Sequence, residues 1–316
     1  MTEGFWLLPE QIQLGIRAPQ SVLRRLSTGI VLQQKSSEWT TRTVWVDWVE
    51  GDYLIHRVAY WQPHFTREDV VWAQHGEDWL FLGAGFFLSY TQRTDSARFF
   101  ALPEWLDDVF TFSYPFLNLL VQILNRQGYT PLHAAVIGSN DRFVLIPGKQ
   151  NTGKSTTAAT WVVHGGQFVT DDFCFVQADE PTTVYGFYPT FRIRKEALPF
   201  LNPYITSDKF LQKGDSKFFF STLTHCTDRF VSQAPIKAIF CLTRQGSTLS
   251  HTYVSPQVGF SYLASSLAFA VQHRASGQLC IQAIRRMVRE LPVIQINLSP
   301  DMTENYAYLK ELIAMC

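Results

Sequence analysis

The segment Gly148-Lys149-Gln150-Asn151-Thr152-Gly153-Lys154-Ser155 constrains the fold of this chain more than any other part of it. An apolar run at 143–146 precedes it, and a helical pattern from about 154 to 163 follows, stopped by Gly165-Gly166. The glycines permit positive φ and let backbone N–H groups approach an anion with no Cβ in the way. The unpaired N–H groups and the dipole of the helix start favour a phosphate at the same point. In this pattern Lys154 reaches the β- and γ-phosphates, and the Ser155 hydroxyl holds Mg²⁺. Gly148, Asn151, Thr152 and Gly153 line the cradle, and Thr156 adds a phosphate hydrogen bond. The expected ligand is a nucleoside triphosphate, with ATP and Mg²⁺ as the natural pair and GTP left open. The expected fold class is α/β.

Phe168-Val169-Thr170 is the next apolar run, and it closes on Asp171-Asp172, 17 residues after Lys154. Strand, loop, helix and strand in about 30 residues form a βαβ unit. Ligands of open α/β sheets sit at the C-terminal ends of strands, so both carboxylates are expected in the crevice of the glycine loop. One can hold Mg²⁺ through its water shell, and the other can accept a proton. Adjacent like charges raise a pKa, so both need a cation nearby. Without the loop, such a pair reads as a surface turn or a helix cap. His133 stands 15 residues before Gly148, in Pro131-Leu132-His133-Ala134-Ala135-Val136, and by pattern alone it is a core or edge histidine. Arg192 and Arg194 alternate along an extended segment and point to one face. They either neutralise charge on a transferring phosphoryl group or guard a strand edge, and both readings stand. The polar stretch at 208–217 reads as a surface loop, with closure over a substrate as its alternative.

The rest of the chain divides at about residue 110. Residues 1–110 read as a smaller, mostly antiparallel, β-rich domain with strand candidates at 43–49, 53–61, 78–90 and 97–102, and one short helix at 19–26. Residues 111–316 read as the α/β domain. They add a hairpin at 132–146, strands at 173–177, 237–243 and 293–297, and helices near 115–127, 259–272, 278–289 and 303–314. Lys and Arg number 27 and so do Asp and Glu, so no basic surplus exists to hold a nucleic-acid backbone or an anionic membrane. No uncharged run is long enough to span a bilayer, and no basic, apolar leader opens the sequence. Five cysteines with no C-x-x-C pair fit reduced thiols of a cytoplasmic protein.

Taken together, His133 ahead of a hairpin, the glycine loop, and an apolar strand ending in Asp171-Asp172 resemble the catalytic domain of the HPr kinase/phosphorylase family. Leu132-His133-Ala134-Ala135-Val136 is similar to the HPr kinase-related proteins. Some of those phosphorylate a serine on a ribosomally made peptide, lasso-peptide precursors included. The resemblance is tight over about residues 130–176, loose beyond, and absent over 1–105. It implies a fold like that of phosphoenolpyruvate carboxykinase, a mixed sheet flanked by helices. It also implies Asp171 as the base for an acceptor hydroxyl, Asp172 as a metal ligand, and His133 as the residue that orients or tunes Asp171. It further implies a peptide or protein serine as acceptor and a homo-oligomer. The family's Glu-x-Arg-Gly-x-Gly signature is missing from 185–195, and so is its C-terminal phosphorolysis motif. HPr as acceptor and the reverse, phosphate-consuming reaction are therefore not implied. A small-molecule kinase, a nucleotide-binding regulator and a motor NTPase are the other readings. Intact Lys154, Ser155 and Asp171 favour transfer, and the lack of a second NTPase motif disfavours a motor.

Overall fold

The computed structural model describes residues 1–9, 12–27, 30, 42–49, 62–67, 70–76, 78–83, 85–102, 114–148, 152–201, 211–213, 217–221, 227–244, 248–267 and 274–316. The strand expected over 53–61, Asn151 of the glycine loop and most of the polar stretch at 208–217 lie outside them. The chain forms two compact units, Met1–Leu120 and Val121–Cys316. Among the described residues no helix is long and apolar enough to cross a membrane.

In the first unit, β1 (Thr2–Leu7), β2 (Ile12–Ala18), α1 (Gln20–Leu26) and β3 (Arg42–Trp48) come first. Then follow β4 (Gln62–Arg67), β5 (Val70–His75), β6 (Asp78–Leu82), β7 (Phe86–Thr91) and β8 (Ser96–Ala101). They form one sheet in the order β1-β2-β3-β8-β7-β6-β5-β4. Most pairs are antiparallel, as expected, but β2–β3 and β3–β8 are parallel. A parallel neighbour needs a crossover rather than a tight turn, and α1 lies in the connection from β2 to β3. The single strand expected at 78–90 is two, because the chain reverses at Gly83, whose N–H donates to the Phe86 carbonyl (2.9 Å). Trp79, Phe81, Phe87 and Tyr90 are buried from these strands.

The helix α2 (Leu117–Asn125) leads to the second unit, with β9 (Thr130–Ser139), β10 (Arg142–Pro147), α3 (Lys154–Val163), β11 (Gln167–Thr170), β12 (Phe173–Gln177), β13 (Thr183–Gly186) and β14 (Thr190–Arg194). There follow α4 (Leu198–Leu201), β15 (Leu211–Lys213), β16 (Lys217–Ser221), β17 (Gln233–Thr243) and β18 (Ser250–Tyr253). The unit ends with α5 (Pro256–Ser265), α6 (Arg274–Glu290), β19 (Val293–Asn297) and α7 (Met302–Met315). Asn140 and Asp141, both at positive φ, turn β9 into β10, as the twist of a two-residue hairpin requires.

The long strands β9 and β17 serve two sheets. Their outer parts join β11, β10, β19 and β18 in the order β11-β9-β10-β17-β19-β18. Their other parts flank β12 and β13. The resulting mixed α/β unit has three layers. Ala135, Ile137, Val144, Ile146, Phe240 and Leu242 face α3 and α7, where Trp161, Leu309 and Leu312 meet them. Val136, Phe143, Leu145, Ile239 and Cys241 face α5 and α6, through Leu263, Ile284 and Met287. Burial on both faces is why these strands read as continuous apolar runs rather than alternating ones. A third, small sheet, β14-β16-β15, sends Phe191 and Ile193 into the α3 side of the core.

The βαβ unit expected from the sequence differs in one respect. β10 and β11 are parallel but not adjacent, because β9 lies between them and pairs antiparallel with both. The C-terminal ends of β11, β10, β17 and β19 consequently share one edge of the sheet.

Candidate active site

The glycine loop leaves β10 at that edge. Gly148 has φ +136° and Gly153 has φ +100°, a region where a side chain is strained, so both turns need glycine. Gly153 caps α3, and its carbonyl accepts the Thr157 N–H (2.8 Å) in the first turn. At the other end Gly165 N–H donates to Val162 and Gly166 N–H to Trp161 (2.9 and 3.0 Å), the paired bonds of a Schellman stop. The helix α3 is thus bounded by glycines at both ends. Thr152, Ser155 and Thr156 are half-buried around the helix start.

Lys154 is only 5 % exposed, and its Nζ donates to the Gly148 carbonyl (2.8 Å), so the ammonium lies across the loop. Burial pulls its pKa down, while the charges of Asp172 and Asp171 push it up. The Gly148 N–H donates to Ser266 Oγ (2.9 Å), and the Ser266 carbonyl accepts the His133 N–H (3.0 Å). Ser266, just past α5, therefore ties the loop to β9. No motif announces it, since the two contacts span 118 residues in one case and 133 in the other.

On the β11 side the turn Asp171-Asp172 is set by Thr170. Its Oγ1 accepts the Asp172 N–H (3.2 Å) and donates to the Phe173 carbonyl (2.9 Å). Asp171 is 1 % exposed. Its Oδ2 accepts the Arg192 backbone N–H (3.0 Å), while Oδ1 is buried with no hydrogen-bond partner among the described residues. Burial, then the neighbouring Asp172 charge, pushes the Asp171 pKa up to about 8, against smaller pulls from the Arg192 N–H and charge and the Ser155 hydroxyl.

His133 meets Asp172 rather than Asp171. Its Nε2 pairs with Asp172 Oδ1, and its ring stacks on Phe173 (centroids 5.3 Å apart), its register partner across β9 and β12. The Asp172 carbonyl accepts the Ala134 N–H (2.8 Å), which locks the turn to the same strand. Arg192 and Arg194 share one face of β14, opposite the core-facing Phe191 and Ile193, and Arg194 is exposed. The structure brings Lys154, Ser155, Asp171, Asp172, His133 and Arg192 together at this edge.

The donors fit a small hard cation. Two carboxylates and a hydroxyl are oxygen ligands of the kind Mg²⁺ takes together with substrate phosphates. The bare, buried Asp171 Oδ1 is an acceptor still to be satisfied. Among the described residues no group of three or more His, Cys, Asp and Glu forms a complete metal cage.

No family model and no curated protein sequence matches the chain. Among solved structures it is similar to the Hpr(Ser) kinase/phosphatase from Coxiella burnetii, at 13 % identity and a TM-score of 0.31, over 58 % of this chain and 94 % of that one. The likeness is a distant one.

Proposed function

We propose that the protein transfers the γ-phosphoryl group of ATP·Mg²⁺ to a hydroxyl, that of a serine in a peptide or protein. The observation that carries this reading is a buried ammonium lying across one glycine loop, Lys154, with a buried, incompletely bonded carboxyl beside it, Asp171. Burying either charge costs several kcal/mol, and a ligand that brings phosphates and a cation offsets both. Lys154 and the N–H groups at the start of α3 hold the β- and γ-phosphates. Ser155 and Asp172 hold Mg²⁺, which draws charge from the phosphate oxygens when bound. His133 fixes the Asp172 carboxylate. Asp171 accepts the proton of the acceptor hydroxyl as its oxygen bonds to the γ-phosphorus, and the bond to the β–γ bridging oxygen breaks to release ADP. Arg192 adds positive charge beside the reacting group. The serine acceptor, a cytoplasmic setting and a homo-oligomer belong to the same reading, through the resemblance to the HPr kinase-related proteins.

The test is transfer from γ-labelled ATP to candidate serine peptides, with Lys154→Ala and Asp171→Asn alongside. Label on a peptide with wild type alone supports the reading. Tight ATP binding with no transfer to peptides or small alcohols, and no difference between wild type and Asp171→Asn, makes the protein a nucleotide-binding regulator instead.

A further inference from the structure

We infer that the nucleoside end of the bound nucleotide seats beside Arg244, on the flank of the phosphate loop opposite Asp171. The inference rests on the nucleotide reading above and adds what that reading lacks, a place for the base and ribose. The sheet order decides the direction. The loop follows β10, with β9 and β11 on one side and β17 and β19 on the other. All the candidate chemistry (Asp171, Asp172 and His133) lies on the β9–β11 side. A triphosphate gripped in the loop with its transferable end towards Asp171 sends its other end away from that side, and β17 and β19 are the strands that lie there.

Arg244 stands there, one residue beyond β17. A Cβ placed on Gly153 would lie 3.0 Å from Arg244 Nη2 and 3.4 Å from its Nε, so the guanidinium rests against the second glycine of the loop. The same point is 3.4 Å from Leu298 Cδ1, a buried side chain just past β19. Gly153 is therefore glycine for space as well as for its φ. The floor under Arg244 is held by backbone and side-chain bonds between the two strand ends. Leu298 N–H donates to the Thr243 carbonyl (2.9 Å), Thr243 Oγ1 donates to the Ile296 carbonyl (3.3 Å), and Asn297 Nδ2 donates to the Thr248 carbonyl (2.7 Å). Arg244 itself is exposed. A guanidinium stacks on an aromatic base and donates to ribose or α-phosphate oxygens. Stacking accepts any base face, so this seat discriminates poorly between ATP and GTP.

The test compares ATP with inorganic tripolyphosphate, each with Mg²⁺, by calorimetric titration of wild type, Arg244→Ala and Lys154→Ala. Tripolyphosphate carries the phosphates without the nucleoside. Arg244→Ala should weaken ATP by about tenfold or more, the worth of a charged donor, and leave tripolyphosphate within about twofold. Lys154→Ala should weaken both. Equal losses of both ligands in Arg244→Ala would make it a ligand of the terminal phosphates and overturn the nucleoside seat, as would no loss of either. A wild type that binds neither ligand removes the phosphate-loop reading and this inference with it. Arg244→Lys, which keeps the charge without the planar group, should restore ATP binding only in part.

Discussion

The N-terminal sheet buries Trp79, Phe81, Phe87 and Tyr90, and among its described residues the only fully buried polar side chain is Gln13. Its ion pair Arg42–Asp95 is half-exposed and is completed by the Tyr90 hydroxyl (2.8 Å), so its charges are balanced where they stand. The C-terminal unit buries Lys154 and Asp171 at one sheet edge and leaves a carboxylate oxygen bare among the described residues. Both units pack aromatic and aliphatic cores, so packing does not separate them. What separates them, among the described residues, is that only the second unit buries a lysine and an aspartate side chain, a combination that is common at functional sites.

The comparison breaks most sharply at Asp171. Asp171→Asn should lower phosphoryl transfer by about a hundred- to ten-thousandfold, the usual worth of a positioned general base, with nucleotide affinity nearly unchanged. Full activity in that variant would remove the base from the proposal. In the N-terminal sheet Phe81→Ala should cost about 3–5 kcal/mol of stability in a denaturant titration, with no change in the ATP affinity of the folded protein. A change in affinity there would show that the first unit also serves the nucleotide. Lys154→Ala should weaken nucleotide binding by about a hundredfold and leave the melting temperature level or higher, because it removes a buried charge. A loss of stability instead would give Lys154 a structural role. His133→Gln should reduce transfer by about tenfold, with a raised Mg²⁺ requirement, as expected of a residue that acts through a metal ligand.

A further test is the pH dependence of stability without metal. The Asp171 carboxyl is pushed up to about 8, so the folded chain keeps a proton that the unfolded chain releases in the ordinary carboxylate range. That contribution is whole below about pH 4 and is lost as pH rises towards 8. In chelator-treated protein the melting temperature should therefore fall from about pH 5 to about pH 8, and Asp171→Asn should flatten the slope. Parallel profiles for the two would show that Asp171 is already ionised in the folded state.

Some of this arrangement was legible in the residues and some was not. The glycine turns at Gly148 and Gly153, the helix after them and the stop at Gly165-Gly166 follow from local chemistry. Each depends on φ values, unpaired N–H groups and helix ends within a few residues. The hairpin at Asn140-Asp141 is local in the same way. Two parallel pairings in the first sheet were not legible, because strand neighbours are chosen between segments far apart in the sequence. Nor was the insertion of β9 between β10 and β11, which a continuous apolar pattern cannot distinguish from direct adjacency. His133 could be named but not paired. Its partner Asp172 comes from the register of β9 on β12, a one-residue choice that decides which carboxylate it meets.

Sequence alone determined that a glycine-jointed loop, expected to cradle an anion, opens a helix after an apolar strand, because those residues act on their own backbone. The tertiary structure decided which side chains stand around that cradle: Asp171 and His133 on one flank, Arg244 on the other, and Ser266 holding its first amide. Those neighbours are brought together by strand order and by burial between two helix layers, and both are settled by the packing of the whole unit rather than by any local run of residues.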